Sequence, residues 1–452
     1  MIENLVEAQR AYFETGKTLD VNVRIYFLKE LKKAIKEHEA DIAAALFEDL
    51  GKSPTEAYMS EIGMVLEDLT HHIKHVKSWA KRRKKRSPLA QFPSSSYALP
   101  SPYGNTLIIS PWNYPFLLSM QPLVGAVGAG NTVILKPSRA SKATSAIIKR
   151  IIEEVFPQEY VACVYEGDTL NGEILTYKFD YIFFTGGKEV GKKVYAAAAK
   201  NLTPVTLELG GKSPVIVDAT ANLKLAAKRV AFGKFLNVGQ TCVAPDYAVV
   251  HSSVADKFAE YLKYWIEKLF PDALENSDYG KIINERHYTR IKGLIDGNVV
   301  CGGKYDDGKR KIEPTVIYPA TVDCKAMQEE IFGPVLPVLM YTTENELLEI
   351  IERNPTPLAL YLFTTNKKAE KLLEKVQFGG GCINDTVIHI ASTNLPFGGV
   401  GSSGIGSYHG QRSFETFSHY KSVLKKSNKL DLPMRYTPYK EKNDKLIRFF
   451  MK

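Results

Sequence analysis

The sequence predicts an α/β protein with parallel sheets, and three observations support this class. From residue 103 onward, short β-branched runs alternate with stretches of helical period, the pattern of successive β-α-β units. The 452 residues suffice for two or three domains with their own cores. With 44% apolar and 24% charged residues, the composition excludes collagen-like, disordered and disulfide-scaffold classes. We therefore expect two α/β domains in tandem.

The N-terminal segment has helical periodicity. Apolar residues recur at helical spacing over 21–49, and Gly51 follows where a helix is expected to stop. Ser53 is followed by a proline and, three residues later, by Glu56, which is typical of a capped helix start. These signals predict two long helices that cover a sheet, the second ending near the basic run 81–86.

The predicted strands alternate with helices in two successive sets. Strands of the first set are expected at 106–110, 132–135, 161–165, 181–184, 205–209 and 215–217, with helices at 141–155 and 188–200. The second set extends from about 213 to 395, with strands at 247–250 and 358–363 and helices near 223–236 and 254–269. Because parallel strands need long crossover connections, both sheets are expected to carry helices on their two faces.

The net charge and the cysteine content indicate which binding partners and which cellular compartment to expect. The net charge of +9 is modest, and we interpret the run 81–86 as a solvated helix end rather than a nucleic-acid patch. Five cysteines without a CxxC pair argue against disulfides and against a metal site, and favour a reducing compartment. No signal-peptide pattern begins the chain, and the most apolar stretch, 116–135, is interrupted by polar residues and glycines. We expect a cytoplasmic protein without a membrane span, whose tail from residue 422 lies on the surface.

Three residues have settings that suit covalent catalysis. Cys242 lies in the turn GQTC after a helical run, whereas the other cysteines are interpreted as structural. Glu208 ends an apolar strand before two glycines, where burial would raise its pKa and suit a general base; pairing with Lys212 is the alternative. Asn113 in PWNYP could donate to an oxyanion, and an Asx turn is the alternative.

A cofactor site is suggested by a strand, glycines and a helix in succession. Gly186, Gly187 and Gly191 lie at the start of the helix, where backbone amides can meet a pyrophosphate, although the spacing is not GxGxxG. Lys136 ends another strand and could bond ribose hydroxyls, or it could be an exposed lysine without a role.

Seven segments together resemble the NAD(P)-dependent aldehyde dehydrogenase superfamily over essentially the whole chain. In chain order they are PWNYP (111–115), LKPS (135–138), FTGG and VG (184–191), LELGGKSP (207–214), GQTC (239–242), EEIFGPV (329–335) and PFGGVGSSGIGSYHG (396–410). Residues 200–204 and SFETFSH (413–419) resemble the class 3 branch, which includes fatty aldehyde dehydrogenases.

The resemblance implies catalytic roles and a reaction. Cys242 matches the nucleophile, Glu208 the general base, and Asn113 the amide that forms the oxyanion hole with the Cys242 backbone N–H. An aldehyde would be oxidised to a carboxylic acid through a thioester, with Glu330 as second candidate for the hydrolytic base. The alternative is an acylating enzyme that passes the thioester to coenzyme A.

The resemblance also implies a cofactor of NAD or NADP. Lys136 matches the ribose-binding lysine, the three glycines the pyrophosphate turn, and Glu330 and Phe332 the residues at the nicotinamide ribose and ring. Arg139 stands where many members carry Glu, which predicts use of both cofactors; the alternative is that Arg139 points to solvent and NAD remains preferred.

The implied fold is a Rossmann-like cofactor domain plus an α/β catalytic domain with a β-ribbon extension. The expected limits are 1–208 for the cofactor domain, with a bridging segment at about 85–102, 209–395 for the catalytic domain, and 396–452 for the return and tail. Ribbon strands at 93–102 and after residue 416 are expected to mediate a homodimer. An apolar pocket near Tyr114, Phe235, Ile388 and Ile390 predicts aliphatic or aromatic aldehydes as substrates.

Overall fold

The strands form two large sheets, a three-stranded ribbon and a two-stranded antiparallel sheet, β11-β12. The computed structural model describes residues 2–165 and 170–451. The strands are β1 Arg83–Lys85, β2 Ser94–Pro102, β3 Asn105–Ile109, β4 Thr132–Lys136, β5 Val161–Cys163, β6 Tyr181–Thr185, β7 Val205–Glu208, β8 Pro214–Val217, β9 Tyr247–His251, β10 Val299–Cys301, β11 Tyr305–Asp306, β12 Lys311–Ile312, β13 Thr315–Ile317, β14 Val335–Tyr341, β15 Ala359–Phe363, β16 Gly380–Ile383, β17 Gly404–Ile405 and β18 Ser418–Lys426.

Helices fill most connections between the strands. They are α1 Ile2–Glu14, α2 Val21–Glu37, α3 Glu39–Leu50, α4 Pro54–Ala57, α5 Gly63–Trp79, α6 Leu117–Ala129, α7 Lys142–Val155, α8 Leu170–Glu173, α9 Lys188–Ala199, α10 Leu223–Phe235, α11 Ala255–Leu269, α12 Glu285–Lys292, α13 Lys325–Gln328, α14 Glu344–Glu352, α15 Leu372–Lys375, α16 Gln411–Thr416 and α17 Glu441–Phe450. A π-helical turn, Tyr58–Ile62, joins α4 to α5. Within the described part of the chain, none of these helices has the length and apolar character needed to cross a bilayer.

The first sheet has the strand order β17-β7-β6-β3-β4-β5, and its strands are parallel except for β17. The order reverses between β3 and β6, because β4 and β5 extend on one side of β3 while β6 and β7 extend on the other. Ligands of such sheets bind outside the carboxyl ends of the strands at this reversal.

The second sheet has the order β10-β13-β14-β9-β8-β15-β16 and is parallel except for β10. The ribbon is antiparallel, with β2 between β1 and β18. The predicted α/β class with parallel sheets is confirmed, whereas the domain limits stay a prediction.

Alternate residues of the first sheet pack on opposite faces. In β3, Ile108 joins the large core cluster and Leu107 joins a second cluster on the other face. In β4, Leu135 and Ile134 divide in the same way. Both faces are therefore covered, which explains why these strands are apolar without polar alternation.

Two predictions about the N-terminal segment need correction. The helix expected over 21–49 is broken at His38, whose ring bonds the carboxylates of Asp41 and Glu154, and the chain continues as α3 against α7. The basic run 81–86 is not a helix end, because helix α5 stops at Trp79 and Arg83–Lys85 form ribbon strand β1.

The predicted signals for a helix start and a helix end are confirmed, whereas one strand was not predicted. Ser53 caps α4 as predicted, and Gly51 ends α3 with φ 70°. The Glu56 carboxylate, however, accepts from the backbone N–H of Asn237 rather than closing a capping box. Strand β14 was not predicted, and it carries Pro337, which is unusual within a sheet.

Candidate active site

Strand ends of the first sheet bring several predicted residues to one edge. Lys136, Thr185 and Glu208 are the last residues of the parallel strands β4, β6 and β7, and Asn113 follows β3. Gly186 comes directly after β6, and its backbone N–H donates to Glu208 O at 3.0 Å. These residues therefore share the carboxyl edge of the sheet, where the strand order reverses.

Cys242 is presented by a turn with an unusual backbone. After helix α10, three successive residues have left-handed conformations: Asn237 (φ 51°), Val238 (φ 56°) and Gly239 (φ 74°). A Cβ on Gly239 would lie 2.3 Å from the carbonyl oxygen of Gly333, so only glycine fits there. This turn sets the direction in which the chain reaches Cys242.

Burial, with smaller contributions from the nearby carboxyls of Glu330 and Glu208, raises the pKa of the Cys242 thiol to about 12. Hydrogen bonds from the backbone N–H groups of Cys242 and Val243 act in the opposite direction. The sulfur is therefore a thiol at neutral pH, and it needs a base that accepts its proton when it attacks.

Asn237 joins the Cys242 turn to Asn113. The Asn237 side-chain amide donates to Asn113 O at 2.8 Å and to Gln240 O at 3.0 Å, and the Asn113 amide also donates to Gln240 O, at 3.0 Å. Sequence reasoning missed Asn237. Asparagine tolerates the left-handed conformation better than most residues, so its place just before GQTC was the available signal.

A buried ion pair donates a hydrogen bond to the backbone of Asn113. Lys52 Nζ lies 2.5 Å from Glu61 Oε1, both side chains are fully buried, and Lys52 also donates to Asn113 O at 3.3 Å. The second Glu61 oxygen accepts from the N–H groups of Phe116 (2.9 Å) and Leu117 (3.1 Å), where helix α6 begins. A carboxylate at a helix start is stabilised by the unpaired amides there.

Glu208 is buried and unpartnered. Neither of its carboxyl oxygens has a hydrogen-bond partner among the described residues, and burial raises its pKa well above the ordinary value. The alternative pairing with Lys212 is wrong, because Lys212 bonds the carboxylate of Asp246 instead.

That second pair holds the loop that carries Glu330. Lys212 Nζ donates to the carbonyl oxygens of Ala326 (2.8 Å) and Glu329 (2.9 Å), and Asp246 Oδ1 accepts from the N–H of Ile331 at 2.9 Å. Lys212 and Asp246 are both buried. The loop backbone is therefore bonded on either side of Glu330.

Glu330 lies close to the Glu208 segment. A Cβ on Gly210 would meet Glu330 Oε2 at 2.2 Å, so the carboxyl rests against that glycine. Burial, with a smaller contribution from Asp246, raises the pKa of Glu330 to about 7. Phe332 has φ 47°, and its ring centroid lies 5.5 Å from that of Trp112.

The predicted cofactor residues fit a dinucleotide. Gly187 precedes α9 without a side-chain cap, and a Cβ built on it meets nothing within 4 Å, which leaves the amides of the first turn open to an anion. Gly186 and Gly191 have no space for a side chain, since Phe184 and Leu209 lie at 2.6 Å and 2.7 Å.

Two further polar groups at this edge suit the ribose and nicotinamide parts. Burial, and then the charge of Arg139, lower the pKa of Lys136 to about 8. Thr185 Oγ1 is buried and has no hydrogen-bond partner among the described residues. Donors and acceptors are thus present at the position where the resemblance expects NAD or NADP.

An apolar pocket of about 170 Å³ borders Cys242. Tyr114, Ile388 and Ile390 line it as predicted, whereas Phe235 does not: it is buried in the core, with its ring against Phe270. Phe232, one helical turn earlier, lines the pocket instead. Polar lining groups are few, and the Tyr114 hydroxyl is engaged with Thr241 Oγ1 at 2.6 Å.

Comparison with known proteins identifies the family. A profile described as "Aldehyde dehydrogenase family" matches residues 1–423. The chain belongs to this family. It is 47% identical to 4,4'-diaponeurosporen-aldehyde dehydrogenase of Staphylococcus aureus (strain NCTC 8325 / PS 47), over 100% of this chain and 99% of that protein.

Two further aldehyde dehydrogenases agree with this assignment. The chain is 42% identical to the canine "Aldehyde dehydrogenase, dimeric NADP-preferring", over 97% of this chain and 98% of that protein. It superposes on the solved "Substrate bound state of Staphylococcus Aureus AldH" with a TM-score of 0.98 and 46% identity, over 100% of both chains. Relatives named as family 3 members confirm the predicted class 3 branch. The chain is an NAD(P)-dependent aldehyde dehydrogenase.

Proposed function

We propose that this enzyme oxidises apolar aliphatic or aromatic aldehydes to carboxylic acids through a thioester on Cys242. The observation that carries the proposal is an apolar pocket bordered by a thiol with two buried carboxyls nearby. An apolar lining favours hydrocarbon substrates, because a charged chain would lose its hydration there without a partner. The Staphylococcus aureus relative named for a diaponeurosporen aldehyde supports an apolar substrate.

The first chemical step forms a carbon–sulfur bond. Cys242 Sγ attacks the carbonyl carbon as its proton passes to a carboxylate, and Glu330, with a pKa of about 7, suits that task near neutrality. The negative charge moves to the carbonyl oxygen. The Asn113 amide, whose Nδ2 lies 3.0 Å from Gln240 O, turns to the substrate oxygen and donates to it together with the Cys242 N–H.

Lys136, the first-turn amides of α9, Glu330 and Phe332 would hold the cofactor. When bound, the nicotinamide of NAD or NADP supplies the acceptor for the hydride that leaves the substrate carbon. Hydrolysis then breaks the carbon–sulfur bond: a carboxylate at Glu208, or second at Glu330, takes a proton from water, the water oxygen bonds the acyl carbon, and the sulfur regains a proton. The acylating alternative would release the acyl group to coenzyme A instead.

We further propose that Arg139 lets the enzyme accept NADP as well as NAD. Its positive charge acts on Lys136, the proposed ribose-binding residue, and would attract a 2′-phosphate that a glutamate would repel. The canine relative named NADP-preferring supports this. A homodimer joined through the ribbon β1-β2-β18 is proposed by analogy with relatives named dimeric, and the cytoplasmic location stays a prediction.

The decisive experiment measures NADH formation and products over a chain-length series of aldehydes. We expect wild type to form acids, with kcat/KM rising with chain length, and Cys242→Ala to lose activity while still binding NADH. Cys301→Ala, a change at a cysteine that does not line the pocket, serves as control and should keep activity. Acyl-coenzyme A as the main product when coenzyme A is added, or full activity of Cys242→Ala, would contradict the proposal.

A further inference from the structure

Helix α9 begins with a lysine, at a position that is unfavourable for a cation. Lys188 is the first residue of the helix and follows Gly186 and Gly187. The unpaired amides at the start of a helix give that end a partial positive charge, which repels a positively charged side chain. The carboxylate of Glu189 does not offset this repulsion, because it pairs with the exposed Lys192 at 2.8 Å. The position therefore costs stability unless an anion binds there.

The protein itself supplies no such anion to Lys188. Among the described residues, no carboxylate forms an ion pair with this lysine, and its side chain is half-buried. Side chains of a helix tilt toward its amino end, so Lys188 extends toward the carboxyl edge of the first sheet. Burial raises the pKa of Glu330 at this edge to about 7, and the charge of Lys188 acts against that increase. The ammonium group therefore lies on the Glu330 side of the helix start.

Two further features next to Lys188 indicate a ligand. Gly187 is exposed, and a Cβ built on it meets nothing within 4 Å, so the amides of the first turn are open to an anion. Thr185 is only 8% exposed, and its hydroxyl has no hydrogen-bond partner among the described residues. Because buried polar groups are almost always hydrogen-bonded, this hydroxyl indicates a group that a ligand satisfies.

The strand order identifies the part of the cofactor that Lys188 would meet. Lys136, on the proposed adenosine side, ends β4, and Glu330, on the nicotinamide side, rests against Gly210 just after β7. Strand β6, which leads into α9, lies between β7 and β4 in the sheet. The pyrophosphate of a dinucleotide lies between its two riboses. Lys188 is therefore placed for the pyrophosphate rather than for either ribose.

We propose that Lys188 is a further cofactor-binding residue, whose ammonium group pairs with the pyrophosphate of NAD or NADP. This role rests on the cofactor placement given under the proposed function. The first-turn amides and Lys188 would stabilise the negative phosphates together. Once paired in this way, Lys188 stabilises the Glu330 carboxylate less, so that carboxylate becomes a stronger base when the cofactor is in place.

The test is binding of NADH to the full-length enzyme without aldehyde, measured by fluorescence. We expect Lys188→Met to raise the Kd at least about tenfold at about 0.1 M salt, the effect of losing a charge-assisted hydrogen bond. Lys188→Arg keeps the charge and should restore most of the affinity. Lys193→Met removes the same charge from an exposed position of the same helix and should bind as wild type.

Two nucleotide fragments show whether the pyrophosphate is the group that Lys188 binds. ADP-ribose contains the pyrophosphate but no nicotinamide, so Lys188→Met should raise its Kd by the same factor as the Kd for NADH. AMP lacks the second phosphate and should lose less affinity. The melting temperature of the nucleotide-free variant should stay the same or rise, because a cation is removed from the positive end of a helix.

Several outcomes would overturn this role of Lys188. An unchanged Kd for NADH in Lys188→Met would do so and would leave the proposed function intact. A loss for NADH without a loss for ADP-ribose would assign Lys188 to Glu330 and the nicotinamide ribose, and a loss for NADPH alone would assign it to the 2′-phosphate. A lower melting temperature with an equal loss for AMP would show a structural effect. Wild-type enzyme that binds no nucleotide would overturn the proposed function as well.

Discussion

The site rests on two buried lysine–carboxylate pairs, Lys52–Glu61 and Lys212–Asp246, that differ in what they hold. Lys52–Glu61 bonds Asn113 and the start of helix α6, on the side of the proposed oxyanion donor. Lys212–Asp246 bonds the loop of Glu330, on the side of the proposed cofactor. Buried pairs add little net stability on average, so such pairs are better understood as fixing geometry.

The two ion pairs are expected to affect different steps of the reaction. If the first pair positions Asn113, its loss should slow the attack by sulfur and leave cofactor binding unchanged. If the second pair positions Glu330 and Phe332, its loss should weaken cofactor binding and hydrolysis. Kinetic constants can distinguish these cases, because kcat and the two KM values report on different steps.

Among changes to the two ion pairs, Lys52→Met is expected to have the largest effect. The change leaves Glu61 as an unpaired buried carboxylate and removes a donor to Asn113 O, so kcat should fall by about 10²-fold, the range found when an oxyanion donor is lost. The KM for NAD should stay within about twofold of wild type. Steady-state kinetics with saturating cofactor measures this.

Controls separate positioning from loss of stability. Arg24 is also buried and donates to Gly128 O, near the opposite end of helix α6, so Arg24→Met should reduce stability but leave kcat unchanged. Lys52→Arg should restore part of the activity. In the double variant with Asn113→Ala, the two effects should not add, because Lys52 acts through Asn113. Additive effects would contradict the positioning role.

Lys212→Met should produce a smaller and different loss. Without the lysine, the carbonyl oxygens of Ala326 and Glu329 lose their donor, and the KM for NAD should rise about tenfold. Sulfur attack should slow less, because the Glu208 carboxyl also lies near Cys242. We expect Cys242 also to hydrolyse activated esters, a reaction that needs no cofactor and can therefore be measured separately. If ester hydrolysis falls as much as aldehyde oxidation, the loop acts through Glu330 as the base and not through cofactor binding.

The pH dependence provides a third comparison, between Glu330 and Glu208. A base must be deprotonated, so with a pKa of about 7 at Glu330, kcat should rise as the pH increases through about 7. Glu330→Gln should remove this rise. If the rise persists in Glu330→Gln and disappears in Glu208→Gln, the base is Glu208.

The free energy of unfolding should also depend on the ionisation of Glu330. Because burial raises the pKa of Glu330 above its ordinary value of 4.5, folding favours the protonated carboxyl, and stability falls as the pH rises from about 4.5 through about 7. Glu330→Gln should therefore gain stability over wild type at pH 8.5, by up to about 3 kcal/mol, and gain little at pH 4. Chemical unfolding at both pH values tests this, and equal differences at the two would contradict it.

Sequence patterns were sufficient to predict the strands whose ends form the site. They were insufficient to predict the buried ion pairs that hold the site residues in place. Strands β3, β4, β6 and β7 were predicted because they are short, apolar and β-branched, and residues at their ends reach one edge by topology alone. Lys52 and Asp246 carried no signal, since an isolated lysine or aspartate in a sequence is most often exposed. Their roles depend on contacts of Lys52 with Asn113 and of Asp246 with Lys212 and Ile331, which are 34 to 85 positions away and which periodicity cannot show.

The smallest effect is expected from a change at Arg139, which alters only the choice between the two cofactors. Arg139→Glu should shift the ratio of kcat/KM values for NAD over NADP by at least about tenfold toward NAD, because a carboxylate would repel a 2′-phosphate and could bond the 2′-hydroxyl. The pKa of Lys136 should also rise, since Arg139 now lowers it. Arg150→Glu, on the exposed surface of α7, makes the same charge change outside this site and should leave the ratio unaltered. A wild-type preference for NAD above about a thousandfold would show that Arg139 does not face the ribose. Other groups would then determine the choice between NAD and NADP.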